Sequence, residues 1–335
     1  MRRRSFLAGT AALMPATAPL VSRAQQDVTF FRILTGGTVG TYFPIGGLIA
    51  NAISNPPGSR PCTDGGSCGV PGLIASAVTS NGSVANVSAI AAGSAQSGFV
   101  QSDIAYWAHT GTGIYSGRPK VDVLCAIANL YPESIQLVVR KGSGIRSVQD
   151  LRGRKISLDE PGSGTLVDAR LILQAFGLSE KDLQAQYFPA QRVADNLRDG
   201  TIDGFFSVSG WPQSSVADLA ATVGIELVPI AGPEVDKLIE QFSFFSKEEI
   251  PDNAYKGVAG VSTVSVHAIW ATSIKQNEEL IYKVTAALWN PSTRKLLDSG
   301  HAKGREIRLE TATRGLGIPL HPGAEKFYKE QGLIR

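Results

Sequence analysis

The chain has 335 residues, of which 43% are hydrophobic and 18% are charged, and its formal net charge is +3. This composition excludes a disordered chain, a collagen-like repeat and a small disulfide-rich protein, because apolar residues are abundant and only 3 cysteines are present. A chain of this length favours two domains, since a single core stops growing at roughly 250–300 residues.

The first 24 residues are typical of an export signal. Arginines at positions 2–4 precede an apolar run over residues 6–21, which is too short and too broken by prolines to span a bilayer. Paired arginines, followed after one serine by two large apolar residues, favour twin-arginine export, while the general secretory route stays open. We expect cleavage after about Ala24 and a periplasmic mature protein.

The basic excess belongs to this first segment. It contains four arginines and no acidic residue, so the mature chain has 28 basic and 29 acidic residues and a net charge of about −1. A nearly neutral protein gives no electrostatic reason to expect nucleic acid or an anionic membrane as a partner. An anionic ligand would therefore have to be held by local hydrogen-bond donors.

Two of the three cysteines lie close together in a loop rich in turn residues. Cys62 and Cys68 flank a short segment with two glycines, and an oxidising compartment would keep their sulfurs paired. A zinc site is disfavoured, because no histidine or further cysteine lies nearby. We predict a Cys62–Cys68 disulfide, and we expect Cys125 to be buried in an apolar run.

Short runs rich in Val, Ile and Phe alternate with helical patterns along the mature chain. This alternation predicts an α/β fold with a largely parallel sheet. Strands are predicted over residues 29–34, 75–79, 97–100, 121–128, 135–139, 155–158, 202–207, 225–229 and 263–269. Helices are predicted over residues 41–53, 166–176, 190–198, 212–222 and 277–289.

Two extended segments are predicted to cross between the domains. Residues 130–140 place a turn before an extended run, and residues 261–272 form a second such run. Two crossings would make the first domain discontinuous, with the second domain inserted in it and a cleft between them. We therefore predict one domain over residues 25–135 and 264–335, and another over residues 136–263.

Five predicted strands end in turns rich in glycine and small hydroxyl side chains. In the first, over residues 36–41, glycines allow close backbone approach and a helix N-terminus favours an anion. This turn lacks the lysine of a Walker A loop and the spacing of a dinucleotide-binding fingerprint. The other turns cover residues 79–86, 100–103, 159–165 and 207–212. Together they predict a ligand cleft outside the carboxyl ends of the strands.

Catalytic motifs give little support for an enzyme. Residues 65–69 match the Gly-x-Ser-x-Gly pattern of hydrolases, but they lie in the cysteine loop and not on a strand-to-helix turn. The four histidines show neither metal-ligand spacing nor a paired acid nearby in sequence. We expect no enzyme activity, no metal and no cofactor. A secreted hydrolase is a distant alternative, for which Ser163 is the nearest candidate by position.

Seven segments, in chain order, resemble the TAXI family, the extracytoplasmic solute-binding subunits of TRAP transporters. They include Gly-Gly-Thr-Val-Gly-Thr-Tyr-Phe-Pro over residues 36–44 and Leu-Tyr-Pro-Glu over residues 130–133. The other five are residues 82–86, 101–103, 162–165, 200–206 and 320–324. The sequence departs from the family at Ala85, where an acidic residue is common, and in its longer cysteine loop.

This resemblance, which covers the whole mature chain, implies a periplasmic-binding-protein type II fold. Two α/β domains would be joined by a hinge of crossing strands, with the ligand held between them. It also implies a monomer that delivers its ligand to TRAP-type membrane permease subunits. A sensory module that reports to a membrane histidine kinase is the alternative that the sequence leaves open.

Characterised TAXI proteins bind glutamate-like amino acids or small organic acids, which implies a carboxylate ligand here. We expect hydroxyls and backbone N–H groups to bind the carboxylate, and an aromatic ring to cover the apolar part of the ligand. The expected binding residues are Thr38, Thr41, Tyr42, Ser80, Ser83, Gln101, Ser163, Gly164, Thr165 and Trp211.

Overall fold

The structure, a computed structural model, describes residues 28–335, so the predicted export signal lies outside the described residues. In this range the strands are β1 (Thr29–Leu34), β2 (Ser54–Asn55), β3 (Val70–Pro71), β4 (Leu73–Val78), β5 (Ser97–Gln101), β6 (Leu124–Arg140), β7 (Lys155–Ser157), β8 (Gln184–Gln186), β9 (Gly204–Ser209), β10 (Ile225–Val228), β11 (Ser246–Ile250) and β12 (Val261–Ser273). The α-helices are α1 (Tyr42–Ile53), α2 (Ser83–Ala91), α3 (Ser102–Thr110), α4 (Gly164–Ala175), α5 (Ala190–Arg198), α6 (Ser214–Thr222), α7 (Pro233–Gln241), α8 (Glu278–Leu288), α9 (Pro291–Gly300) and α10 (Pro322–Glu330). Across residues 28–335, none of the helices has both the length and the apolar character needed to cross a bilayer.

One mixed sheet runs through the molecule in the order β4-β1-β5-β12-β6-β9-β7-β8. Strand β1 pairs in parallel with β4 and β5 at one end, and β7 pairs in parallel with β8 and β9 at the other. The centre is antiparallel, because β6 carries the chain from one end of the sheet to the other and β12 brings it back. The α/β class is confirmed, whereas the prediction of a largely parallel sheet is wrong at this centre.

Strand β6 corrects a second prediction. The turn expected in the segment 130–140 is absent, and the two strands predicted over residues 121–128 and 135–139 form one strand of 17 residues. The chain stays extended through Pro132, which cannot donate a hydrogen bond to the neighbouring strand. The pairing with β12 compensates by a shift in register between Ala268 and Ile269, close to the proline.

Two lobes share this sheet. We call the part around β1, β4 and β5 the first lobe, and the part around β7, β8 and β9 the second lobe. Fully buried apolar clusters fill each of them, with Phe31 and Ile49 in the first and Ile156 and Leu173 in the second. The domain boundaries predicted after residues 135 and 263 fall inside β6 and β12, and the division of the chain at those positions stays a prediction.

A disulfide joins Cys62 to Cys68, which are 6 residues apart, and Cys125 is a buried free thiol. We expect replacement of both bonded cysteines by serine to lower the free energy of unfolding by about 2 kcal/mol, because a loop this short restricts the unfolded chain only modestly. Urea unfolding of the variant and of the wild type with and without reductant measures the effect. Identical midpoints under all these conditions would contradict the prediction.

Candidate functional site

A cavity lies where the two lobes meet, and we call it the cleft cavity. It encloses about 80 Å³, which is room for a small ligand rather than for a polymer. Glycines, hydroxyl side chains and amides from both lobes form most of its wall. The lining residues are Gly36, Gly37, Gly40, Thr41, Tyr42, Asn81, Gly82, Ser83, Gln101, Glu133, Asp159, Ser163, Gly164, Thr165, Ala190, Ser207, Val208, Ser209 and Gln213.

The structure brings most of the expected binding residues together at this cavity. Those from the first lobe lie at the starts of α1 and α2 and at the end of β5, and those from the second lobe lie at the start of α4. They are Thr41, Tyr42, Ser83, Gln101, Ser163, Gly164 and Thr165.

Three of the expected binding residues lie outside the cleft cavity. Thr38 lines a neighbouring groove, which shares Gly40, Thr41 and Gln213 with the cleft cavity. The Ser80 hydroxyl lies 3.0 Å from the Thr35 carbonyl oxygen and 2.6 Å from the side-chain oxygen of Asn86, so it holds the turn together. The Trp211 ring lies against the ammonium group of Lys303, whose Nζ is 4.4 Å from the ring centroid.

Six helices begin at the cleft cavity. The first N–H groups of a helix have no partner within the helix and carry partial positive charge, which favours an anionic group. Four of these helices, α1, α2, α4 and α5, place their first residue on the cavity wall, and these residues are Tyr42, Ser83, Gly164 and Ala190. The other two, α3 and α6, place their N-capping residue there, and these residues are Gln101 and Gln213.

The two lobes contact each other directly around the cavity. The Thr41 hydroxyl donates a hydrogen bond of 2.7 Å to the carbonyl oxygen of Gly210. The backbone N–H of Ala85 donates one of 3.0 Å to the carbonyl oxygen of Gly162. Because each bond joins one lobe to the other, the structure holds the cleft in a closed arrangement.

Gln101 lies at the centre of the contact between the lobes. Its side-chain Nε2 donates a hydrogen bond of 2.7 Å to Oδ2 of Asp168, and its Oε1 accepts one of 3.1 Å from the Ser83 hydroxyl. Gly164 packs so closely against this amide that a Cβ atom there would lie 1.2 Å from Oε1. Closure therefore depends on the absence of a side chain at Gly164.

Two carboxyl groups also line the cleft cavity, and neither was among the expected binding residues. Glu133, on β6, is 1% exposed, and its Oε2 accepts a hydrogen bond of 2.7 Å from the Tyr42 hydroxyl. Burial raises the pKa of Glu133 to about 8, although the hydrogen bond from Tyr42 acts in the opposite direction. Asp159 has a left-handed backbone with φ 75°, and burial raises its pKa to about 7. A strained backbone and shifted pKa values are common at functional sites.

A second pair of carboxyl groups lies at the contact between the lobes. Asp103 on α3 and Asp168 on α4 are both fully buried, and three of their four oxygens have no hydrogen-bond partner among residues 28–335. Burial raises the pKa of Asp103 to about 6, and burial together with the charge of Asp103 raises that of Asp168 further. At least one of the two carboxyls therefore stays protonated at a pH at which an exposed aspartate is ionised, since two buried like charges cannot both be ionised at low cost.

Cationic side chains are absent from the cavity wall in the described part of the chain. A cation that acts on the cavity wall is Lys303, which is 1% exposed and forms an ion pair of 2.9 Å with Glu306. The charge of Lys303 lowers the pKa of Glu133, but burial has the larger effect. In the described part of the cavity wall, the partial positive charge available to an anion therefore comes from helix N-termini rather than from cationic side chains.

A model of the NMT1-like family matches residues 33–332 of the chain. Among solved structures, a protein of Bordetella bronchiseptica is similar with a TM-score of 0.52 at 17% identity, covering 91% of this chain and 82% of that one. The alkanesulfonate-binding protein SsuA of Xanthomonas axonopodis pv. citri bound to MOPS has a TM-score of 0.45 at 15% identity, and the match covers 92% of this chain and 95% of that one. PhnD1 of Prochlorococcus marinus in complex with methylphosphonate has a TM-score of 0.49 at 9% identity, and the match covers 91% of this chain and 99% of that one.

At these identities the likenesses concern the fold alone. The two lobes, the crossing strands β6 and β12 and the cavity between the lobes agree with the periplasmic-binding-protein type II fold that the sequence resemblance implies. The fold implied by the sequence resemblance is thus confirmed.

Proposed function

The chain belongs to the NMT1-like family, and from that premise we propose that it is an extracytoplasmic solute receptor that captures a small carboxylate ligand. It binds and releases this ligand unchanged, and it delivers the ligand to a TRAP-type membrane permease. The observation that carries the proposal is the cavity between two lobes, at which six helices begin.

A carboxylate suits the chemistry of this wall. Hydroxyl groups of Ser83, Ser163 and Thr165 face the cavity beside the helix N-termini, and several modest hydrogen bonds can replace a cationic partner. Domain closure around a bound ligand is a common transition in receptors built from two lobes. The TRAP-type partner is supported by the resemblance of the mature chain to the TAXI family.

Screening by thermal unfolding tests the ligand class. We expect α-amino acids or dicarboxylates at about 100 times their Kd to stabilise the protein by about 2.7 kcal/mol, which raises Tm by roughly 5 °C. Neutral sugars serve as controls and should leave Tm unchanged. If no carboxylate raises Tm, the proposed ligand class is wrong, and if the purified protein consumes a candidate, the receptor function is wrong.

The delivery step has its own experiment. Proteoliposomes that contain a TRAP-type permease encoded beside this chain should take up the ligand only when the loaded receptor is added. Uptake that is independent of the receptor, or phosphorylation of a neighbouring sensor kinase on ligand binding, would contradict the proposed partner.

A further inference from the structure

We infer that Glu133 makes the cleft cavity selective for a ligand that carries a cationic hydrogen-bond donor in addition to its carboxylate. An α-amino acid meets this requirement, whereas the corresponding 2-oxo acid, which has a carbonyl oxygen in place of the ammonium group, does not. The inference rests on the proposed function and narrows its ligand class.

The position of Glu133 leaves one of its oxygens for a ligand. The residue lines the cavity and is 1% exposed, so bulk water does not solvate its carboxyl group. Within residues 28–335, its one hydrogen bond comes from the Tyr42 hydroxyl and ends on Oε2. The other oxygen, Oε1, can accept a hydrogen bond only from a molecule in the cavity.

The surroundings of Glu133 favour a cationic donor over a neutral one. Asp159 is a second carboxyl on the cavity wall, and Asp103 adds unfavourable negative charge near Glu133. Lys303 offsets this charge only in part, since it is paired with Glu306. A buried carboxylate without a cationic partner is costly, and a ligand ammonium group would supply that partner.

The helix N-termini and Glu133 thus provide two different subsites in one cavity. The N–H groups at the starts of the six helices suit a carboxylate, and Glu133 suits an ammonium group. An α-amino acid satisfies both subsites, and its ammonium group supplies the cation that the described lining of the cavity lacks.

Titration calorimetry at pH 7 with two matched ligand pairs tests this inference on the mature protein. The pairs are L-glutamate with 2-oxoglutarate and L-alanine with pyruvate, whose members differ in the ammonium group. We expect at least one amino acid to bind 10-fold or more tightly than its partner. Glu133→Gln keeps the size of the side chain and should lower the affinity for that amino acid by 10-fold or more, without weakening the 2-oxo acid.

The number of protons released on ligand binding is a second measurement, and a purely structural role of Glu133 would not affect it. Because the raised pKa of Glu133 keeps the free group protonated at pH 7, binding of an ammonium group should release a proton, and Glu133→Gln should abolish that release. Repeating the titration in buffers of different ionisation enthalpy measures it. The matched control is Glu240→Gln, at an exposed position on α7, which should leave affinity and proton release unchanged.

The possible results separate this inference from the proposed function. Equal binding of an amino acid and its 2-oxo acid, or an unchanged preference in Glu133→Gln, overturns the inference and leaves the receptor function intact. Binding of the 2-oxo acids alone, with affinity lost above the pKa of Glu133, would show that a protonated Glu133 donates to an oxyanion, and also overturns it. Absence of binding by any carboxylate contradicts both.

Discussion

Replacing Gly164 by alanine is expected to keep the cleft open and to weaken ligand binding by more than about 100-fold. The added Cβ would lie 1.2 Å from Oε1 of Gln101 and 2.4 Å from its Cδ, so one of the two groups must move. If the amide moves, Ser83 and Asp168 lose their hydrogen bonds in a buried place, at about 1–3 kcal/mol for each unsatisfied group. A total of about 3 kcal/mol corresponds to a factor of more than 100 in affinity.

Small-angle X-ray scattering and titration calorimetry measure the effect of Gly164→Ala. The radius of gyration should increase relative to the wild type in the presence of ligand, while the circular dichroism spectrum stays the same. Gly47→Ala is the matched control, because Gly47 is an exposed residue in α1 and a Cβ there meets no atom within 4 Å. The control should bind normally and be slightly more stable, since alanine favours a helix over glycine.

A second variant identifies the cause. Combining Gly164→Ala with Gln101→Ala removes the atoms that the new methyl group would overlap. The double variant should therefore close as far as Gln101→Ala alone, which lacks the same hydrogen bonds to Ser83 and Asp168. If the double variant is more open than Gln101→Ala, or if Gly164→Ala alone closes normally, the contact between Gly164 and Gln101 does not control closure.

The position of the cleft could be predicted from the sequence because it depends on local patterns. Glycine and small hydroxyl residues at strand ends fix where helices begin, and parallel strands place those ends at one edge of a sheet. For this reason Thr41, Ser83 and Ser163, which are far apart in the chain, were correctly expected near one another. Their role in ligand binding stays a prediction.

The acidic part of the site could not be predicted in this way. Glu133, Asp103 and Asp168 acquire their properties from burial and from one another, and burial is set by the packing of both lobes. One local signal was available, since Glu133 is the one acidic residue of the largely buried strand β6. Trp211, expected at the site because it is an aromatic residue in a turn, packs against Lys303 outside the cleft cavity, and its role in ligand binding stays a prediction.

Replacing Asp103 by asparagine is expected to stabilise the protein above pH 6 by about 3 kcal/mol. Burial raises the pKa of Asp103 from 3.8 to about 6 in the folded protein, so the folded state holds its proton more tightly than the unfolded state. The contribution of Asp103 to the free energy of unfolding is therefore most favourable below pH 4. It becomes less favourable as the pH rises from 4 to 6 and does not change further above pH 6. Asparagine removes this loss, and its amide can donate to Oδ1 of Asp168, which lacks a partner within the described residues.

Other ionisable groups around Asp103 determine what remains of the pH dependence in Asp103→Asn. Asp168 faces Asp103 from α4 and keeps a pKa that burial raises. Glu133 on β6 also has a raised pKa, so it lowers the free energy of unfolding as the pH rises toward 8. Burial raises the pKa of Tyr115 to about 12, Arg118 acts in the opposite direction and Asp103 adds to the rise, so this hydroxyl does not titrate between pH 4 and pH 9. The variant should accordingly lose the slope between pH 4 and 6 and keep a weaker one at higher pH.

Urea unfolding of the wild type and Asp103→Asn at intervals from pH 4 to pH 9 measures both curves. They should nearly coincide at pH 4 and separate by about 3 kcal/mol by pH 7, with the variant the more stable protein. Asp122→Asn is the control, because Asp122 is exposed and its replacement should leave the curve of the wild type unchanged. Parallel curves at every pH, or a variant that is less stable at pH 7, would show that the pKa of Asp103 is not raised in the folded protein.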